Sequence, residues 1–236
     1  LYERDIDRRF MPASITKVMT TFLAFEWMEE GRLFPQQVYG VRPDTFREWN
    51  HKGSTMFLPA DARVTVDDLL HGITTVSAND GAVVLAEGAA GSVEDWVAAM
   101  NAKAHQIGMS NSHYGTPNGW MDNGKTFVTA RDLGTLAQAM VTRHPSKYHH
   151  FVGKKGLEYN GIRQNNHDPI SGVVPASIGN SMLAPAPANT RIISVSTYLA
   201  ASQNGVAPIS GGAKWWSREE RRGEVHVRST AFGSAP

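Results

Sequence analysis

Pro12-Ala13-Ser14-Ile15-Thr16-Lys17 opens the longest apolar run in the first half of the chain, Val18-Met19-Thr20-Thr21-Phe22-Leu23-Ala24-Phe25. A serine and a lysine three residues apart at the head of a helix share one face, one turn from each other. A serine hydroxyl is a poor nucleophile at neutral pH and needs an adjacent base. Lysine can serve as that base only where burial or nearby cations pull its pKa down. The apolar residues that follow would supply dry surroundings. The same hexapeptide also reads as an ordinary helix start, with Ser14 as the cap and Lys17 solvated. Taken alone it leaves both readings open.

A second element sits between two helix patterns. Val76-Ser77-Ala78-Asn79-Asp80 is a turn that can aim a hydroxyl and an amide into a cleft. The hydroxyl can relay a proton beside the lysine, and the amide can hold the lysine and a substrate carbonyl. The bland alternative is that Ser77 or Asn79 caps the helix at Asp80. Ser-x-Asn is a cheap pattern, repeated at Ser202-Gln203-Asn204. Ser-x-x-Lys occurs only at Ser14-Lys17.

The 236 residues, 41% hydrophobic and 19% charged, can bury one large core or two modest ones. Formal net charge is +1 with no basic block, which lacks the electrostatic footprint of a nucleic-acid binder. In Trp215-Trp216-Ser217-Arg218-Glu219-Glu220-Arg221-Arg222 the charges alternate and read as a solvated face. With no cysteines, a disulfide framework, cysteine-ligated zinc and a thiol nucleophile are excluded. No apolar run approaches a membrane span of roughly 18 residues, and Leu1-Tyr2-Glu3-Arg4-Asp5 has no signal-peptide character.

Along the chain, Leu1-Tyr2-Glu3 reads as the tail of a strand that begins earlier. Residues 14 to about 30 form a first helix ended by Gly31. Residues 32–52 carry no strong period, and Ser54-Thr55-Met56-Phe57-Leu58 is a strand candidate closed by Pro59. Thr65, Ser92 and Thr129 each precede an acid by three residues and mark helix starts; another helix runs from about Asp80 to Gly88. Leu157-Glu158-Tyr159 and Ile162-Arg163-Gln164 flank Asn160-Gly161, a hairpin signal. Gly, Pro, Ala and Ser dominate from Pro169 to Asn189, Arg191–Leu199 reads as a strand, and residues from Asn204 onward are weakly patterned. His144, His149 and His150 gather near a helix end, but no His-Glu-x-x-His is present, so helix-end or surface histidines are expected and no metal. No Gly-x-Ser-x-Gly elbow or phosphate-binding glycine motif appears, and no cofactor is expected.

Together, Pro12-Ala13-Ser14-Ile15-Thr16-Lys17, Leu69-Leu70-His71-Gly72 leading into Ser77-Ala78-Asn79-Asp80, and Gly115-Thr116-Pro117-Asn118-Gly119 resemble the low-molecular-weight penicillin-binding proteins. More narrowly, they resemble the serine D-alanyl-D-alanine carboxypeptidases, within the group marked by Ser-x-x-Lys, Ser-x-Asn and Lys-Thr-Gly. Thr126–Leu133 and the stretch from Tyr159 to Asn166 add to the likeness, which covers residues 1 to about 170. The resemblance implies an α+β fold of the β-lactamase/transpeptidase type, a mainly antiparallel sheet packed with a helical cluster and a cleft between them. Residues 1–236 would be a single catalytic domain. Ser14 would be the acylated nucleophile, Lys17 its base, Ser77 a proton shuttle, and Asn79 the group that positions Lys17 and the substrate amide. The substrate would be a peptidoglycan stem peptide ending in D-Ala-D-Ala, and β-lactams would inhibit as slow acyl-enzymes. The resemblance further implies a periplasmic or otherwise extracytoplasmic enzyme, with any membrane association made through a segment outside this sequence.

One motif departs from the family. The only Lys-Thr pair, Lys125-Thr126-Phe127, lies in another block and lacks the glycine, so a structural role is expected for it. Where Lys-Thr-Gly should follow Val174-Pro175, the chain reads Ala176-Ser177-Ile178-Gly179-Asn180-Ser181-Met182, and Lys214 precedes two tryptophans. Two other functions fit the same fold: a β-lactamase, for which no Glu-x-x-Leu-Asn deacylation motif is visible, and a non-catalytic peptidoglycan-binding module.

Overall fold

The protein is described by a computed structural model covering residues 5–167 and the strands Lys214–Arg221 and Glu224–Ala231. It divides into two compact units, Leu1–Gly205 and Val206–Pro236. In the first, a 3-10 turn at Ala13–Ile15 runs into α1 (Thr16–Glu29). Then follow β1 (Val38–Gly40), α2 (Pro43–Trp49), β2 (Arg63–Thr65), α3 (Val66–Val76), α4 (Asn79–Ala90), α5 (Val93–Gln106), α6 (Ala130–Arg143), α7 (Pro145–Phe151), β3 (Gly156–Tyr159) and β4 (Ile162–Asn165). The second unit holds β5 (Lys214–Arg221) and β6 (Glu224–Ala231), an antiparallel pair in register from Lys214↔Ala231 to Arg221↔Glu224. Its sequence is weakly patterned, yet it pairs.

Helix α1 is the centre of the first unit. It buries eleven of its fourteen residues, on every face, so it is an interior helix rather than an amphipathic surface one. It packs against α3, α5 and α6. Those three helices begin where their caps predict: Thr65, Ser92 and Thr129 accept hydrogen bonds from the N–H groups of Asp68, Asp95 and Asp132. Each such cap contributes about 1 kcal/mol. Helix α4 is small-residued for a packing reason, since a Cβ on Gly88 would stand 2.1 Å from the Tyr39 ring. The hairpin β3–β4 turns at Asn160 (φ 48°) and Gly161 (φ 74°), both in the left-handed region a two-residue type I′ turn requires.

Three expectations need correction or lie out of reach. Ser54–Leu58 is not a strand. Its Met56 and Leu58 N–H groups donate to the Asp80 carboxylate at 3.0 and 3.2 Å, so a side chain replaces the partner strand. The segment 32–52, without period in the sequence, folds into β1 and α2, both too short to leave one. The strands expected at Leu1–Glu3 and Arg191–Leu199 lie outside the described residues. Among the described residues the strands form two-stranded antiparallel pairs only: β1–β2, β3–β4 and β5–β6.

The far end of α1 is fixed by a buried carboxylate. Glu26, 4% exposed, accepts from Lys103 Nζ (2.9 Å), an Arg143 guanidinium N–H (2.7 Å) and His144 Nε2 (2.6 Å). Burial alone would raise the Glu26 pKa; the hydrogen bonds of Lys103 and His144 and the charges of Lys103 and Arg143 outweigh it and hold the carboxyl below its usual value. His144 is therefore a buried helix-end group, not a surface one. Glu26→Ala leaves three donors facing each other, one of them fully enclosed, and is expected to destabilise the protein by about 3 kcal/mol. Arg143→Ala, on a half-exposed side chain, should cost under about 1 kcal/mol. Urea unfolding midpoints of the two variants measure the difference.

Candidate active site

Neither bland reading of the opening hexapeptide survives in the structure. The residues preceding the 3-10 turn and α1, Pro12 and Ile15, make no side-chain cap hydrogen bond. Instead Ser14 Oγ stands 2.9 Å from Lys17 Nζ, which donates to it. Lys17 is completely buried. Burial pushes its ammonium down from an ordinary 10.5 to about 7, with the charge of Asp80 acting in the opposite direction. Lysine at that pKa is substantially neutral at pH 7 and can take a proton from a hydroxyl.

A second partner of the lysine comes from a distant segment. Lys17 Nζ also donates to the Asn118 carbonyl at 2.9 Å. The loop bearing Asn118 is tied to α1 by Thr20 Oγ1, which donates to the Pro117 carbonyl at 2.6 Å. It is closed on itself by Gly119 N–H to Thr116 Oγ1 (3.0 Å) and Trp120 N–H to Asn118 Oδ1 (3.0 Å). Gly119 has φ +76°, and a Cβ there would fall 1.8 Å from the Ala13 carbonyl oxygen. The glycine thus lets the loop lie directly against the backbone that presents Ser14. Ala13 itself is held at φ 49°, a strained position for a residue with a Cβ, of the kind concentrated at functional sites.

Ser77 ends α3 in the left-handed conformation (φ 56°, ψ 40°), with its backbone N–H donating to the Gly72 carbonyl. It is 6% exposed. Asn79 is the first residue of α4 rather than its cap, and its Nδ2 donates to the Lys52 carbonyl at 3.0 Å. Its amide therefore holds the segment around Lys52, a role the motif did not announce. The room for it is made by Gly53, where a Cβ would meet Asn79 Nδ2 at 2.7 Å and the Trp120 ring at 3.0 Å. Trp49 and Trp120 meet edge to face at 5.7 Å, and Lys52 Nζ lies 4.6 and 5.2 Å from their ring centroids. Burial raises the Asp80 pKa despite hydrogen bonds from the Met56, Leu58 and Gly81 N–H groups. The Lys125-Thr126 pair is structural as expected, with Thr126 bonded to Asp122 and to the Gly115 N–H. The position expected for Lys-Thr-Gly lies outside the described residues.

The sequence singled out Ser14, Lys17, Ser77 and Asn79 but passed over Asn118 and Asp80. The block Gly115–Gly119 carried a family signal; that its contribution is a backbone carbonyl does not show in side-chain types.

Residues 1–173 match the D-alanyl-D-alanine carboxypeptidase family, peptidase S11. The chain belongs to that family. It is 34% identical over 173 residues to D-alanyl-D-alanine carboxypeptidase DacA of Escherichia coli strain K12, a match covering 72% of this chain and 42% of the relative. The chain thus spans less than half the length of that relative. Among solved structures it is similar to penicillin-binding protein 5 of Haemophilus influenzae, with 29% identity and a TM-score of 0.69 over 73% of this chain and 50% of the other. It is also similar to penicillin-binding protein D2 of Listeria monocytogenes in its cefotaxime-bound form, with 25% identity and a TM-score of 0.62 over 74% and 69%. The α+β, transpeptidase-type fold class expected from the sequence is that of these neighbours.

Two substitutions probe the site. A pKa drop from 10.5 to about 7 corresponds to about 5 kcal/mol spent keeping Lys17 buried below pH 7. Losing two hydrogen bonds of about 1 kcal/mol each offsets part of the relief. Lys17→Met is therefore expected to stabilise the protein by on the order of 3 kcal/mol at pH 7. The unfolded lysine binds more protons than the folded one between pH 7 and 10.5, so wild-type stability rises with pH there and the variant's advantage shrinks. Denaturant titrations at pH 7 and 9.5 test this. Gly119→Ala, strained in φ and driven into the Ala13 carbonyl, should destabilise by about 1–3 kcal/mol, read as a lowered melting temperature.

Proposed function

We propose that this chain is the catalytic domain of a serine DD-carboxypeptidase that removes the terminal D-alanine from peptidoglycan stem peptides. The observation that carries the reading is the 2.9 Å contact between Ser14 Oγ and a fully buried Lys17 whose pKa is pushed down to about 7. Lys17 Nζ takes the Ser14 proton as Oγ attacks the penultimate D-alanine carbonyl. Backbone N–H groups, that of Ser14 among them, hold the oxyanion, a contact worth about 3 kcal/mol. The proton then passes to the departing D-alanine through Ser77, and water hydrolyses the acyl-enzyme with Lys17 again as base. Asn79, whose Nδ2 donates to the Lys52 carbonyl, would position the substrate amide in this reading. β-Lactams acylate the same serine. Such a substrate places the enzyme outside the cytoplasmic membrane, in the periplasm or at the cell envelope. Among the described residues no helix is long and apolar enough to cross a membrane.

A fluorescent penicillin and a peptide ending in D-Ala-D-Ala test the proposal together. The expected result is a stable adduct on Ser14 and release of D-alanine, both lost in Ser14→Ala. The acylation rate should rise as pH passes upward through about 7, because only the neutral lysine accepts the proton. Rapid turnover of the drug would instead identify a β-lactamase. Absence of any adduct on the folded protein would leave only the binding-module reading.

A further inference from the structure

A second cluster of chemically capable side chains lies at the opposite end of α3 from Ser77. Asp67 and His71 sit one turn apart on α3, and α7, packed against α3, brings His150 beside them. Asp67 Oδ2 lies 3.6 Å from His71 Nε2, and Asp67 Oδ1 lies 3.3 Å from His150 Nε2. One ligand atom from each residue falls within 4.8 Å of the other two. Zinc-bound imidazole nitrogens and carboxylate oxygens stand about 2.0–2.2 Å from the ion, so tetrahedral ligands are separated by about 3.4 Å. The separations from each imidazole to an Asp67 oxygen, 3.6 and 3.3 Å, are near that value.

We propose that Asp67, His71 and His150 form a binding site for one divalent transition-metal ion of the zinc class, with water completing the coordination. Two imidazoles and one carboxylate favour zinc, copper or nickel over magnesium or calcium, which prefer oxygen ligands alone. The two rings are held in place by packing. Phe151, buried, lies with its ring centroid 4.9 Å from that of His71 and 4.5 Å from that of His150. Thr74 Oγ1 on α3 donates to the Phe151 carbonyl at 2.8 Å and fixes the two helices to each other. The ion would clasp α7 to the helix that ends in Ser77, and it takes no part in the chemistry at Ser14.

The test is calorimetric titration of the metal-free full chain with ZnCl2, beside melting temperatures with and without the ion. One equivalent should bind and raise the melting temperature. Outer-shell partners alone alter metal affinity about 10–100-fold, so His150→Asn and Asp67→Asn should each weaken binding by more than about tenfold. Both side chains are partly solvent-exposed, and circular dichroism confirms that the variants fold. His105→Asn, exposed on α5, controls for adventitious histidine binding and should leave the affinity unchanged. Absence of binding, or binding that His150→Asn and Asp67→Asn leave intact while His105→Asn weakens it, overturns the proposal.

Discussion

A lysine ammonium taken entirely out of water beside a serine hydroxyl is the constraint that organises the first unit. Burying an unpaired cation is so unfavourable that the group sheds its proton instead. For Lys17 that is the useful outcome, because a neutral amine aimed at Ser14 is a base. The surroundings must therefore be dry and yet offer acceptors to a side chain with three donors. The structure meets the second need with neutral oxygens, Ser14 Oγ and the Asn118 carbonyl. A carboxylate in direct contact would have restored the charge. Asp80, the nearest influence of that kind, acts on Lys17 through its field and spends its own oxygens on three backbone N–H groups.

The site is assembled from segments far apart in sequence, and two of its junction residues carry backbone strain. Ala13 and Ser77, both with left-handed φ, lie immediately beside or within the two motifs. Each is over-determined by its neighbours: Ala13 by the Gly119 backbone pressed against it, Ser77 by the helix whose last turn it closes. Gly53 performs at Asn79 what Gly119 performs at Ala13, admitting a polar group where a Cβ would collide. Positions of this kind cost on the order of 1–3 kcal/mol each and persist only where the packing around them is rigid.

The sequence was informative wherever one residue type does one local job. Thr65, Ser92 and Thr129 announced three helices, Asn160-Gly161 a hairpin, and Ser14 with Lys17 a pair in contact one helical turn apart. It was silent where the partner is a backbone atom or a distant side chain. Nothing in Ser54–Leu58 distinguishes N–H groups satisfied by a strand from N–H groups satisfied by Asp80. Asn118 contributes a carbonyl, which every residue has. Asn79 was expected to position the lysine and a substrate amide, and the bond its Nδ2 donates to the Lys52 carbonyl is not visible in the motif. Short elements such as α2 and α7 span too few turns to impose a period.

The two ends of α1 show how one helix can carry opposite electrostatic solutions. Lys17 lies in the first turn, where the positive end of the helix dipole disfavours an ammonium and adds to the effect of burial. Nine residues closer to the C-terminus, Glu26 is also buried but keeps its charge, because Lys103, Arg143 and His144 donate to it. Lys103 and Arg143 bring their cations near the negative end of the dipole, where positive charge is favoured. Exchanging the two environments would undo both: a Lys17 paired with a carboxylate would hold its proton, and an isolated Glu26 would take one up. A single apolar helix therefore supplies rigidity to both sites, while the placement of counter-charges decides that the ammonium at one end is pushed toward neutrality and the carboxylate at the other keeps its charge.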